Sequence, residues 1–131
     1  FPCGRELEDM AMKAENKISV PVSTKGSWIN FSGPETYLQR LIQQQAKEED
    51  IALGTISCIT ESVLKVLEYT IEKTKIRNVL MVGGVCANQI MRQRLEGYFQ
   101  GKAAVYFAKP EFSTDNAVGT ALLALGSLHE K

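Results

Sequence analysis

The sequence predicts an α/β domain in which a β-hairpin and helices precede a β-α-β-α unit. Three observations support this fold class. They are an alternating stretch at 18–22 followed by a second short strand pattern at 28–31, a long helical repeat of apolar residues at 50–75, and a short apolar run, rich in β-branched residues, that ends at two glycines in 78–84. Because strands alternate with helices in the second half, we expect its strands to run parallel, with right-handed crossovers.

The first 31 residues predict a short helix followed by the hairpin. Apolar residues three and four apart indicate the helix: Leu7, Met10, Ala11 and Ala14. Residues 18–22 (ISVPV) alternate and predict a strand, in which Pro21 favours a sheet edge or a strand end. Residues 23–26 predict a turn, and residues 28–31 (WINF) predict the second strand of the hairpin.

The remaining sequence predicts helices separated by strands. Pro34 suits the first turn of a helix, and apolar spacing continues that helix to Ile42. A long helix is predicted from about Asp50 to Lys75. The later segments are a strand at 78–82, a helix from 85 to about 100, a strand at 104–107, and a final helix capped by residues 113–116.

The composition is that of one ordinary soluble domain. The 131 residues are 44% hydrophobic and 23% charged, and 15 basic residues balance 15 acidic ones. This balance gives no global electrostatic reason to bind nucleic acid or a membrane. Three widely spaced cysteines (Cys3, Cys58 and Cys86) indicate neither a disulfide framework nor a zinc site. No signal peptide and no membrane-length apolar run is visible, so we expect a cytoplasmic protein without a membrane partner.

Gly83 and Gly84 lie where a predicted strand gives way to a predicted helix. Glycines allow a backbone to approach a ligand closely, and a helix start offers free N–H groups and a positive dipole end. This junction is a common nucleotide-binding site in α/β proteins, although glycines also occur there for structural reasons alone. Asn88 follows in the first helical turn, as either a local backbone hydrogen-bonder or a ribose- or base-contacting group.

Two carboxylates also have both a structural and a ligand-binding interpretation. Glu8 lies four residues after Gly4, so both can face one ligand, whereas a solvated helix charge is the default. Asp115 precedes the last predicted helix, where a helix cap is the first expectation and a metal ligand at the mouth of the sheet is the second. His129 is the only histidine, which argues against a His-rich metal site or a Ser-His-Asp triad.

Four segments, in order, resemble motifs of the glycoprotease-like family that makes threonylcarbamoyladenosine in tRNA, long known as O-sialoglycoprotein endopeptidase. Residues 1–8 (FPCGRELE) resemble its Tyr-Pro-Gly-Gly-Pro loop and the helix after it. Residues 28–33 (WINFSG) resemble its Phe-Ser-Phe-Ser-Gly segment. Residues 82–88 (VGGVCAN) resemble its Gly-Gly-Val-x-Ala-Asn motif, and residues 112–117 (FSTDNA) resemble its Cys-Thr-Asp-Asn-Ala motif.

The resemblance implies an actin, sugar-kinase and Hsp70-like (ribonuclease H-like) fold, with a nucleotide between two related domains. Residues 1–131 would be a single domain, most of the C-terminal one, in a protein about twice this length or more. With the glycine junction, the resemblance gives five residues for binding an adenine nucleotide or threonylcarbamoyl-adenylate: Gly4, Glu8, Gly83, Gly84 and Asn88. It implies that Asp115 binds a divalent metal ion, iron or zinc, shared with the missing N-terminal domain. The implied partners of the whole protein are tRNA and the proteins of a tRNA-modification complex.

The sequence also departs from the family pattern. Cys3 stands where the family has glycine, Arg5 where it has proline, and residues 34–36 (PET) where it has Leu-Lys-Thr. The histidine pair of the metal site is absent, so we expect this chain alone to be inactive and assign it no catalytic residue. The whole protein is expected to be a metal-dependent threonylcarbamoyltransferase. One alternative is a non-catalytic paralogue that acts as a partner or scaffold. The other is a metalloprotease, although this sequence contains no visible His-Glu-x-x-His motif.

Overall fold

A computed structural model describes residues 3–109, and within them helices alternate with short strands. In chain order the elements are α1 (Cys3–Ala11), β1 (Thr24–Lys25), β2 (Trp28–Ile29), α2 (Ser32–Gln43), α3 (Glu48–Thr74), β3 (Asn78–Met81), a 3₁₀ turn (Gly84–Ala87), α4 (Gln89–Phe99) and β4 (Ala104–Phe107). The α/β class is confirmed. The predicted final helix and its cap at 113–116, which includes Asp115, lie outside the described residues.

Helix α3 is the element against which the others pack. Acidic residues fill its first turn, where they suit the positive end of the helix dipole, and Lys75 ends it in the left-handed conformation, at a φ of 62°. Buried residues recur from Asp50 to Leu64, so this half of the helix is covered on most sides. The long predicted helix is confirmed. Among residues 3–109, no helix combines the length and the apolar content needed to cross a membrane.

Two hydrophobic clusters lie along α3. The larger one combines side chains of α3, α4 and the β3–β4 sheet, and its buried members are Leu64, Met91, Leu95 and Phe99. The smaller one combines α1 with the first turns of α3, through Ala11, Ala52 and Ile56. A single helix therefore supplies one wall of both clusters.

Strands β3 and β4 form a parallel pair, with Asn78 opposite Ala104 and Met81 opposite Phe107. Helix α4 makes the crossover between them, as the sequence predicts. Side chains alternate across the pair. Met81 and Phe107 pack against the larger cluster, whereas Leu80 is 67% exposed.

The hairpin forms from strands that differ from the predicted ones. Antiparallel pairing joins Thr24 to Ile29 and Lys25 to Trp28, so β1 lies within the predicted turn at 23–26. The Asn30 N–H donates to the Ser23 carbonyl at 2.9 Å, which closes the hairpin. The prediction of a hairpin is confirmed, and the position predicted for its first strand, residues 18–22, is wrong.

Residues 18–22 form no strand, because their backbone pairs with no strand among residues 3–109; their side chains pack against α3. A Cβ at Gly54 of α3 would lie 3.2 Å from Val20 Cγ2 and 3.3 Å from Ile18 Cβ. The Cys58 thiol of the same helix donates to the Pro21 carbonyl at 3.4 Å. The alternating apolar side chains of this segment are thus buried by a helix, through a glycine that permits the close approach.

Candidate functional site

The chain turns sharply over Gly83 after β3 ends at Met81. Gly83 has a φ of 108°, in the region that favours glycine. The turn is closed by the Cys86 N–H, which donates to the Gly83 carbonyl at 3.0 Å. Helix α4 begins only at Gln89, so the prediction that a helix follows Gly84 directly is wrong. Between the 3₁₀ turn and α4 lies Asn88, whose extended backbone (φ −62°, ψ 123°) is typical of a helix N-cap.

Asn88 caps α4 with its side chain. Its Oδ1 accepts a hydrogen bond from the Met91 N–H at 2.9 Å, which satisfies one of the free donors at the helix start. The interpretation of Asn88 as a local hydrogen-bonder at the helix start is therefore confirmed. The cap uses the amide oxygen, and among residues 3–109 nothing accepts a hydrogen bond from Asn88 Nδ2. The side chain retains a donor for a ligand while it holds the helix.

Glu8 reaches the same helix start from α1. Its Oε1 accepts a hydrogen bond from the Gln89 N–H at 2.6 Å, across 81 positions of sequence. A carboxylate is stabilised there by the positive end of the helix dipole. The structure thus brings Glu8 and Asn88 together. Gly4 lies one turn before Glu8 on α1, where it is exposed, and a Cβ added to it would meet no atom within 4 Å.

The glycine turn (residues 83–86) has room beside its backbone among the described residues. A Cβ built on either Gly83 or Gly84 would meet no atom of residues 3–109 within 4 Å. The flanking side chains of Val82 and Val85 are both exposed. For Gly84, neither its backbone φ nor its described neighbours require a glycine. Its lack of a side chain leaves room for a molecule to lie against the turn.

Arg92 ties the glycine turn to the end of β4, a contact that the sequence interpretation missed. Its Nε donates to the Cys86 carbonyl at 2.6 Å, and its Nη2 donates to the Ala108 carbonyl at 2.8 Å. The guanidinium carbon lies 5.0 Å from the centre of the Phe107 ring. The only sequence signal is the spacing from Asn88, since residues four apart share a helix face.

Cys86 contributes packing to the turn. Its thiol is buried and donates to the Val82 carbonyl at 3.3 Å. Burial raises the pKa of Cys86 above its ordinary value, against a smaller opposing effect of Arg92. The raised pKa favours the neutral thiol, which is a weaker nucleophile than the thiolate.

The described part of the chain does not supply a metal site by itself. Within residues 3–109, no three His, Cys, Asp or Glu side chains lie close enough together to hold an ion. Asp115, the predicted metal ligand, is outside that range.

The fold resembles that of a solved protein with little sequence similarity. The crystal structure of HypF from T. kodakarensis matches with a TM-score of 0.75 at 20% identity, over 96% of this chain and 16% of that one. At this identity the likeness shows the α/β fold alone.

Comparison of sequences identifies the family. The chain is 30% identical to a probable bifunctional tRNA threonylcarbamoyladenosine biosynthesis protein of Methanocaldococcus jannaschii, over 95% of this chain and 23% of that protein. It is 29% identical to the tRNA N6-adenosine threonylcarbamoyltransferase of Archaeoglobus fulgidus, over 95% of this chain and 39% of that protein. It thus spans well under half the length of these relatives. Residues 1–122 match the family model for tRNA N6-adenosine threonylcarbamoyltransferase. The chain therefore belongs to the tRNA N6-adenosine threonylcarbamoyltransferase family.

Proposed function

We propose that this chain holds the adenosine end of threonylcarbamoyl-adenylate in a protein that transfers the threonylcarbamoyl group to a tRNA adenosine next to the anticodon. The observation that carries the proposal is the meeting of Glu8 and Asn88 at the start of α4, beside the open glycine turn. Family membership supplies the reaction. The chain would be the C-terminal domain of an actin, sugar-kinase and Hsp70-like (ribonuclease H-like) protein, and its N-terminal domain would close the cleft.

The contacts favour ribose hydroxyls, rather than phosphate, at the start of α4. The Glu8 carboxylate already accepts the hydrogen bond of the first N–H of the helix, that of Gln89. Its negative charge would repel a phosphate there. The same carboxylate can accept hydrogen bonds from hydroxyl groups, and Asn88 Nδ2 can donate one. The bare backbone of Gly83 and Gly84 then leaves space for the rest of the nucleotide. Holding the adenylate in one orientation raises the effective concentration of its reactive carbonyl near the tRNA amine.

Glu8→Gln in the full-length protein tests this assignment. Removing the charge while keeping the shape weakens a charge-assisted hydrogen bond, so the Kd for ATP is expected to rise about tenfold. Formation of threonylcarbamoyladenosine on tRNA is expected to fall with it. Glu6→Gln, an exposed carboxylate on the same helix, is the matched control.

Two outcomes would count against the proposal. Equal ATP affinity for Glu8→Gln and Glu6→Gln would show that Glu8 does not contact the nucleotide. Wild-type protein that binds ATP but modifies no tRNA would instead be a non-catalytic paralogue that serves a partner.

We further propose that Asp115 is one ligand of a divalent metal ion, iron or zinc, completed by side chains of the N-terminal domain. When bound, such an ion would polarise a carbonyl oxygen as a Lewis acid. The carboxylate chemistry of Asp115 is suitable for either metal. The other proposed partners are tRNA and the proteins of a cytoplasmic tRNA-modification complex.

Asp115→Ala is expected to lower the metal content of the purified full-length protein by about tenfold or more, because a first ligand is lost. Metal analysis of the protein, before any activity assay, is the measurement. Asp9→Ala, an exposed aspartate on α1, is the control and is expected to keep its metal. Unchanged metal content in Asp115→Ala would rule out this role.

A further inference from the structure

Arg92 is placed differently from the other arginine of its helix. Its guanidinium spans two segments that leave neighbouring strands at the same sheet end: the 3₁₀ turn after β3 and the residues after β4. Arg94, two positions later, has a 61% exposed side chain and only a 3.9 Å ion pair with Glu61. Arg92 therefore differs from Arg94 in that its guanidinium links two backbone segments.

We propose that Arg92 is a positioning residue that fixes the glycine turn relative to the segment following β4. This inference rests on the proposed function, in which the glycine turn holds the adenosine and Asp115 lies seven positions beyond Ala108. The Cys86 carbonyl belongs to the first of these segments and the Ala108 carbonyl begins the second. Both hydrogen bonds of the Arg92 guanidinium go to backbone carbonyls, so its proposed role is to set where the two segments start.

The guanidinium suits this task for a geometric reason. Nε and Nη2 are donors held in one rigid plane, so two carbonyls bound to them are held in a fixed relation. The Phe107 ring at 5.0 Å from the guanidinium carbon restricts that plane from one side. A lysine ammonium is a point donor on a flexible stem and does not reproduce this fork.

The strand pairing reinforces the bridge. The Ala108 N–H donates to the Met81 carbonyl at 3.0 Å, one residue past the end of β4. Ala108 is therefore held by β3 through its N–H and by α4 through its carbonyl. Removing Arg92 leaves the first contact intact and removes the second, so the strand pairing is preserved while the link between α4 and the segment after β4 is lost.

The first test is hydrogen exchange on the full-length protein, with and without ATP. In Arg92→Met, the amides of residues 83–88 and of Lys109 are expected to exchange faster than in wild type. The β3–β4 amides and the Ala108 amide, which stays bonded to the Met81 carbonyl, are expected to be unchanged. In wild type, ATP is expected to protect both segments; in Arg92→Met it is expected to protect only the glycine turn. Arg94→Met is the matched control and should behave as wild type does. Unchanged exchange in Arg92→Met would overturn the proposal.

The second test separates positioning from structural support in the tRNA modification assay. Arg92→Met is expected to lower kcat by about a hundredfold with the KM for ATP changed less than about threefold, because a misplacement near 1 Å is enough for such a loss. Arg92→Lys is expected to recover part of kcat, since it still reaches one carbonyl. A kcat equal to that of Arg94→Met, or a loss matched by the fall in folded protein, would overturn the positioning role.

The two tests keep this inference distinct from the proposed function. If wild-type protein modifies no tRNA, the proposed function fails, and the ATP-dependent protection of residues 108–109 still decides whether Arg92 couples the loops. If wild type is active and that protection persists in Arg92→Met, the proposed function stands and the inference about Arg92 falls.

Discussion

Leu95→Ala is expected to lower the free energy of unfolding of this chain by about 3 kcal/mol, which is more than a hundredfold in the folding equilibrium. Leu95 is 0% exposed and lies in the cluster that joins α4 to α3 and the sheet. Truncating it removes buried apolar area and leaves a cavity that the neighbouring helix cannot fill without moving. Denaturant unfolding of the two proteins, followed by circular dichroism, measures the difference.

Leu80→Ala is the matched control for this experiment, because the same side chain is 67% exposed on β3. Its expected cost is below about 0.5 kcal/mol. Equal losses for the two variants would show that α4 is not anchored by the cluster as described. The comparison bears on function, since α4 carries Asn88 as its cap and Arg92 in its first turn.

Gly84→Ala is expected to separate ligand binding from stability. The new methyl group would meet no atom of residues 3–109 within 4 Å, so the free energy of unfolding is expected to change little. The same methyl would occupy the space assigned to the nucleotide, so the Kd for ATP in the full-length protein should rise about thirtyfold or more, an effect of about 2 kcal/mol. Calorimetric titration with ATP and denaturant unfolding, made on the same protein, measure the two effects.

Two further glycine substitutions control this result. Gly83→Ala places a side chain at a φ of 108° and should cost about 1 to 2 kcal/mol of stability besides affinity. Gly97→Ala, in the open on α4, should stabilise the helix by up to about 1 kcal/mol and leave ATP binding unchanged. If Gly84→Ala bound ATP with wild-type affinity, the nucleotide would not lie against the glycine turn.

The sequence predicted α3 and β3 well, because the apolar residues of each element form a pattern that is visible in the sequence itself. The long apolar repeat of α3 carries a helical period that few other structures satisfy. The short apolar run of β3 is followed by two glycines, which favour the end of a strand. Residues 18–22 misled the prediction because alternation records only which side chains are buried. The partner that buries them is α3, which accepts them through Gly54, and a one-dimensional pattern does not contain that partner.

The candidate site was predicted residue by residue but not in its arrangement. Gly83, Gly84 and Asn88 are neighbours in sequence, so their proximity needed no tertiary information. The bond from Gln89 to Glu8 joins positions 81 apart and depends on how α1 packs, which composition and spacing do not specify. Arg92 resembles any other helix-surface arginine until the carbonyls of both loops are seen to converge on it. The assignments of ligand and metal to these residues remain predictions.

The placement of α3 also bears on cooperativity. The α1 cluster and the α4–sheet cluster each use a different stretch of the same 27-residue helix, so neither can lose its packing without exposing apolar residues of α3. Helices in proteins gain most of their stability from packing, and both clusters contribute that packing to α3. We therefore expect the two clusters to unfold together in one transition, although each sheet described within residues 3–109 has only two strands.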